Sequence, residues 1–316
     1  MQLLKNKFKG ATLFLLAIQS AYALFTYCHP KEEMVNRAMM RVIPSGRLFV
    51  SEPDPKWFGN GPNPTNDSSW TNQNWLKSRF HFSFAEYSNP KNTDFGVLRV
   101  MNDDLVQPHR GFGTHGHSNM EIVTYIVSGQ LTHKDSMGTE ESLGRGSIQF
   151  MTAGKGVRHS EFNHGDIPLR FIQTWIVPAQ HGLTPKYGSY VGGSPETRKN
   201  QFQHLVSNVM DTSSSTPVER NQDVDMYATE LELGSKAALH IGEGRQAYLL
   251  CIEGEISVNN EKQLAKHDAC EITTADGAGG ELEITGTAVE HTESGDVAHA
   301  LVFVMKAVPG SGRSDF

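Results

Sequence analysis

Short runs of alternating apolar and polar residues, each cut off by glycine, asparagine or aspartate, set the tightest limit on what this chain can fold into. "RFHFSFAEY", "FGVLRVMNDD", "EIVTYIVSGQLTHKDSMG", "GSIQFMTAGKG" and "LRFIQTWIVP" follow one another from Trp75 onward. Alternation places successive side chains on opposite faces of an extended strand, whereas a helix repeats every 3.6 residues. Few segments here carry the helical repeat, so the chain is expected to be all-β, built as a sandwich or barrel. A connector rich in Gly, Pro and Ser, "AQHGLTPKYGSYVGGSPETRKNQ", precedes a second set of runs: "VDMYATELELG", "QAYLLCIEGEISVN" and "HALVFVMKAV". Two similar β-rich units joined by a linker point to an internal duplication.

The length of 316 residues accommodates two cores. The expected domains are 71–178 and 201–309, with a linker at 179–200 and a frayed tail at 310–316. Upstream, Lys5, Lys7 and Lys9 precede the apolar "ATLFLLAIQS" and a small-x-small "AYA" ending at Ala23. Residues 1–23 therefore read as a signal-like segment. It would direct the chain into the secretory pathway, outside the cell or to an organelle, with no stable membrane association after its removal; the alternative is a cytoplasmic protein. Residues 24–70, rich in Pro, Asn, Gly and Ser and carrying a sequon at Asn66, are expected to form a poorly ordered extension.

A net charge of −7, from 28 Lys and Arg against 35 Asp and Glu, provides no electrostatic footprint for nucleic acid or an anionic membrane. Cys28, Cys251 and Cys270 form neither a metal motif nor a disulfide scaffold.

The chemistry concentrates in two short stretches. In "GFGTHGHSNMEIVTYIVSG", His115 and His117 are two apart, so an extended backbone aims both imidazoles the same way. In "TAGKGVRHSEFNH", His159 and Glu161 obey the same rule. Three neutral imidazoles and a carboxylate suit a divalent first-row metal with one or two open positions. Spacing alone leaves open whether Glu121 or Glu161 supplies the carboxylate. His29, His81, His109, His133, His164 and His204 read as ordinary solvated histidines.

These segments resemble the pirin family of the cupin superfamily, most closely its bacterial quercetinase-like branch. The first cupin motif, H-x-H-x3-E-x7-G, is met by His115, His117, Glu121 and Gly129, and "LTHKDSMG" and "MTAGKGVRHSEFN" match the segments that follow. The resemblance implies a bicupin, two jelly-roll barrels with a metal in the first. It also implies the ligand set His115, His117, His159 and Glu161, with Glu121 beside the site. The metal implied is iron(II), with Mn, Ni, Co, Cu and Zn as alternatives. The activity implied is a dioxygenase acting on a flavonol such as quercetin with dioxygen. Glu161 would serve as ligand and base, Glu121 as the alternative base. A non-enzymatic, redox-responsive interaction protein is the rival implication. Superposing Gly254 on Gly129 sets His240 opposite His115, Gly242 opposite His117, Gln246 opposite Glu121 and Gly280 opposite His159. The second barrel is therefore expected to hold no metal, and His267, His291 and His299 to be ordinary surface or core residues.

Overall fold

The computed structural model describes residues 38–62, 75–274 and 279–308; the signal-like segment, Asn66 and the tail lie outside them. Among the described residues strands dominate, and the helical turns are three short 3-10 segments. The first half holds a seven-stranded sheet in the order Lys186–Tyr190, Ile148–Thr152, Glu121–Ser128, Leu169–Ile176, Leu98–Val106, Leu76–Phe80 and Phe49–Ser51. Against it lies a four-stranded sheet, Arg110–His117, Val157–Asn163, Leu131–Asp135 and Glu140–Leu143.

The second half repeats this plan. Its larger sheet runs Ala38–Ile43, Ala269–Thr274, Arg245–Glu253, Gly295–Lys306, Val224–Leu231, Gln203–Asn208 and Val218–Arg220, with Glu290–Thr292 attached to Gly295–Lys306. Its smaller sheet runs Lys236–Ile241, Gly280–Ala288, Glu255–Val258 and Lys262–Ala265. The molecule is a bicupin of two jelly-roll barrels, as the strand pattern and the resemblance imply.

Burial explains why the central strands lack clean alternation. Glu121–Ser128 is buried at every position but the last, and Arg245–Glu253 at every position but the first. One face of each large sheet packs inside its own barrel and the other faces the second barrel. A strand covered on both sides reads as a continuous apolar run, as "IVTYIV" and "AYLLCI" do. The largest apolar cluster joins the halves, with Val123, Tyr125 and Ile148 of the first packed with Tyr248, Leu250 and Leu301 of the second.

Buried ion pairs reinforce the join. Arg145 bridges to Glu230 at 2.8 Å and Glu253 at 2.7 Å, and Arg170 binds Asp103 beside His267. The duplication is visible in its turns: Gly129 and Gly254 both take positive φ between adjoining strands. A Cβ would lie 2.7 Å from the Pro168 carbonyl oxygen in one case and 2.3 Å from that of Ala288 in the other.

Two boundaries differ from expectation. Part of the supposed loose extension is built into the fold: Ala38–Ile43 pairs with Ala269–Thr274, and Phe49–Ser51 pairs with Leu76–Phe80. The linker likewise contributes Lys186–Tyr190 to the first large sheet, paired with Ile148–Thr152. In both cases a sheet edge supplied ladder partners that a local reading cannot see.

Candidate metal centre

The histidines meet because two neighbouring strands carry them in register. Arg110–His117 pairs antiparallel with Val157–Asn163, setting His159 directly opposite His115 and Val157 opposite His117. A register shift between His159 and Glu161, which faces Phe112, re-aims the end of the strand, a common device beside functional sites. Gly111 lets the strands close, since a Cβ there would stand 2.3 Å from the Glu161 carbonyl oxygen. The ring centroids of His115, His117 and His159 lie 4.6–4.9 Å apart.

Ligand atoms of His115, His117 and His159 all lie within 4.8 Å of one another. Nδ1 of His115 lies 2.8 Å from the Gly113 carbonyl, which can only accept, so that nitrogen carries the proton and Nε2 keeps its lone pair. Nε2 of His117 and Nε2 of His159 are 3.0 Å apart. With metal–nitrogen bonds of about 2.0–2.1 Å, that spacing subtends roughly a right angle at a shared ion. Burial, then the neighbouring imidazoles, hold His117 and His159 at about 3, so both are neutral at physiological pH. Neutral, convergent imidazoles fit a divalent first-row cation.

Glu161 belongs to the neighbourhood but enters it from another side. A second grouping within 4.8 Å unites His133, His159 and Glu161, all buried. Both carboxylate oxygens are held by amides: Gln149 Nε2 donates to Oε1, and Gln173 Nε2 donates to Oε2 at 2.9 Å. Trp175 Nε1 in turn donates to Gln173 Oε1 at 3.1 Å, fixing which end of that amide faces the carboxylate.

His133 corrects the sequence reading: it is 1% exposed, not solvated. Its Nδ1 lies 3.5 Å from His159 Nδ1 and its Nε2 lies 3.1 Å from Asp135 Oδ2. The chain Asp135–His133–His159 thereby orients the imidazole that faces the cluster. The signal was present in "LTHKD", where His133 and Asp135 share a strand face, and Leu131–Asp135 pairs with the strand bearing His159. His81 is likewise buried, with Nδ1 2.9 Å from the Tyr248 hydroxyl.

Glu121 is also corrected. It is fully buried at the contact between barrels, accepting from Arg220 at 2.8 Å, Thr152 at 3.1 Å and Asn221 at 3.2 Å. Its strand lies in the large sheet, so the carboxylate serves the join between halves and is withdrawn from the histidine cluster. In the second barrel, His240 is exposed and pairs with Glu281 at 2.8 Å. Among the described residues, both groupings of metal-ligand atoms lie in the first barrel.

A cavity of about 180 Å³ opens onto His115, His117 and Glu161. Phe80, Phe84, Phe112 and Trp175 provide an apolar wall, and Trp57 and Phe58 close one side. Phe58 meets the His115 ring edge-on at 5.9 Å. Ser51, Ser78, Glu86, Asn102, Asp104 and Gln173 are further polar members of the lining.

A bicupin with an imidazole cluster that could hold a metal, beside an apolar cavity in its first barrel, defines a cupin as the class. Residues 64–176 match the pirin family, and residues 208–300 match the quercetinase C-terminal cupin domain. The chain belongs to the pirin family. It is 37% identical over 221 residues to a pirin-like protein of Caulobacter vibrioides, spanning 69% of this chain and 90% of that one. It is 34% identical over 198 residues to the quercetin 2,3-dioxygenase of Escherichia coli K12, spanning 62% and 83%. Among solved structures, the bacterial pirin YhhW of Escherichia coli in complex with nickel(II) superposes with a TM-score of 0.67 at 27% identity, covering 85% of this chain and 100% of that one.

Proposed function

We propose that this chain is a metal-dependent dioxygenase of the quercetin 2,3-dioxygenase kind, with iron(II) held by His115, His117, His159 and Glu161 and a flavonol as substrate. The observation that carries the reading is the convergence of three imidazoles, two of which line an aromatic-walled cavity that also contains a fixed carboxylate. A bound divalent cation acidifies a chelating hydroxyl and offers open positions to substrate or dioxygen. The protein's own contributions follow from the geometry. Phe80, Phe84, Phe112 and Trp175 exclude water and receive the flat faces of an aromatic ligand. His133 and Asp135 keep His159 in the tautomer that offers Nε2. Gln149 and Gln173 steady Glu161, whose oxygens retain lone pairs for a metal or for the proton of a substrate hydroxyl.

The similarity to quercetin dioxygenases supports the reaction class, and the nickel(II) complex of YhhW supports a bound metal. Elemental analysis of natively purified protein identifies the ion. Metal-reconstituted protein under oxygen should consume the quercetin absorbance band and release carbon monoxide, and Glu161→Ala should abolish both. Absence of turnover across iron, manganese, nickel, cobalt, copper and zinc would overturn the assignment.

A further inference from the structure

Along the cavity wall formed by Leu98–Val106, Asn102 and Asp104 point the same way, being two apart on a strand. Both line the cavity that holds His115, His117 and Glu161. Their neighbours across the ladder are already committed. Ser78, opposite Asp104, donates its hydroxyl to that carboxyl, and Gln173, opposite Asn102, is taken up by Glu161 and Trp175. Asn102 is different: it is only 3% exposed, yet its Oδ1 has no hydrogen-bond partner among the described residues. A buried amide oxygen without a partner is costly and uncommon in native proteins, and because Asn102 lines the cavity, a ligand that enters and turns its amide can supply the missing partner.

We propose that Asn102 is a specificity residue whose Oδ1 accepts a hydrogen bond from a phenolic hydroxyl on the part of the ligand remote from the metal-binding unit. The ligand class is thereby narrowed to neutral, multiply hydroxylated aromatics. A ligand that brought a carboxylate or bare carbonyl against the Asn102 oxygen itself would set acceptor against acceptor. Asp104 strengthens the selection: burial pushes its carboxyl up to about 8, so at neutral pH it stands protonated beside Asn102 and can donate to the same hydroxyl oxygen. The inference rests on the flavonol reading above and adds which end of the flavonol the protein reads.

Two flavonols separate the possibilities. Quercetin and 3-hydroxyflavone share the 3-hydroxy-4-keto unit, and only quercetin carries further hydroxyls. Their dissociation constants are measured without oxygen on nickel(II)-loaded wild type and Asn102→Leu, by quenching of tryptophan fluorescence. Wild type should favour quercetin on the order of 10- to 100-fold, the discrimination available to a site whose buried polar group is otherwise left unpaired. Asn102→Leu should lose that preference through weaker binding of quercetin, and melt no lower than wild type because it removes an unsatisfied oxygen. A preference that survives in Asn102→Leu, no preference in wild type, or a clearly lowered melting temperature would each overturn the assignment while leaving the flavonol reading in place. If neither flavonol binds wild type, the flavonol reading fails and this subsite fails with it.

Discussion

Replacing Glu121 distinguishes a structural carboxylate from a catalytic one. Its side chain is fully buried and paired with Arg220, which is 1% exposed and whose guanidinium carbon lies 4.0 Å from the Phe150 ring centroid. Glu121→Gln keeps the volume and one acceptor but leaves Arg220 as an uncompensated charge between the barrels. Breaking one side of a buried pair costs about 3–5 kcal/mol. For a body of this size, roughly 2–4 °C is lost per kcal/mol, so the melting temperature should fall by about 6–20 °C. Removing both charges, in Glu121→Leu with Arg220→Met, should recover most of that loss, because the desolvation of two ions is relieved together. Thermal unfolding of metal-loaded protein reads the stability, and turnover well below the new transition reads the chemistry. Glu121→Gln should retain near wild-type turnover there. A variant as stable as wild type but inactive would refute the structural role and restore Glu121 as a base.

Three further outcomes follow from the site. His117 and His159 are held at about 3 when folded, against 6.5 otherwise, so between those values the unfolded chain binds more protons and stability rises with pH. Metal-free protein should therefore lose stability as pH falls from about 6.5 towards 3; a urea midpoint unchanged from pH 7 to pH 4 would contradict this. Asp135→Asn, which weakens the orientation of His133 and through it His159, should lower metal affinity about 10- to 100-fold in a competitive chelator titration. Trp57 is 63% exposed at the cavity edge. Trp57→Ala should raise the quercetin KM several-fold, in line with about 1 kcal/mol of lost aromatic contact, with metal content unchanged.

The ligand-bearing strands were legible because a two-residue period ties side-chain direction to position. "THGH" and "RHSE" each announced a pair on one face, and the fold brings the three histidines together. The same rule states which face a residue occupies but not which sheet lies opposite. Glu121 shares the parity of His115 and His117, yet it sits beyond a turn in a different sheet, and its partner Arg220 is 99 residues away. His133 reads as solvated from the sequence because its burial depends on Tyr187, which stacks on its ring at 4.1 Å from a strand the sequence presents as linker. The strands within 38–51 were hidden for a related reason: their ladders are completed by residues far along the chain or beyond a proline-rich stretch.

That first described strand constrains how the protein is made. Arg41 forms its ion pair with Glu271, 230 positions later, and the residues between include the whole of the first barrel. During synthesis "MMRVI" leaves the ribosome long before its ladder partner exists, and it waits as an unpaired edge able to recruit other chains. The barrel translated last closes only when a segment translated ahead of the first barrel returns to it. Such a topology favours slow maturation and a need for chaperone protection.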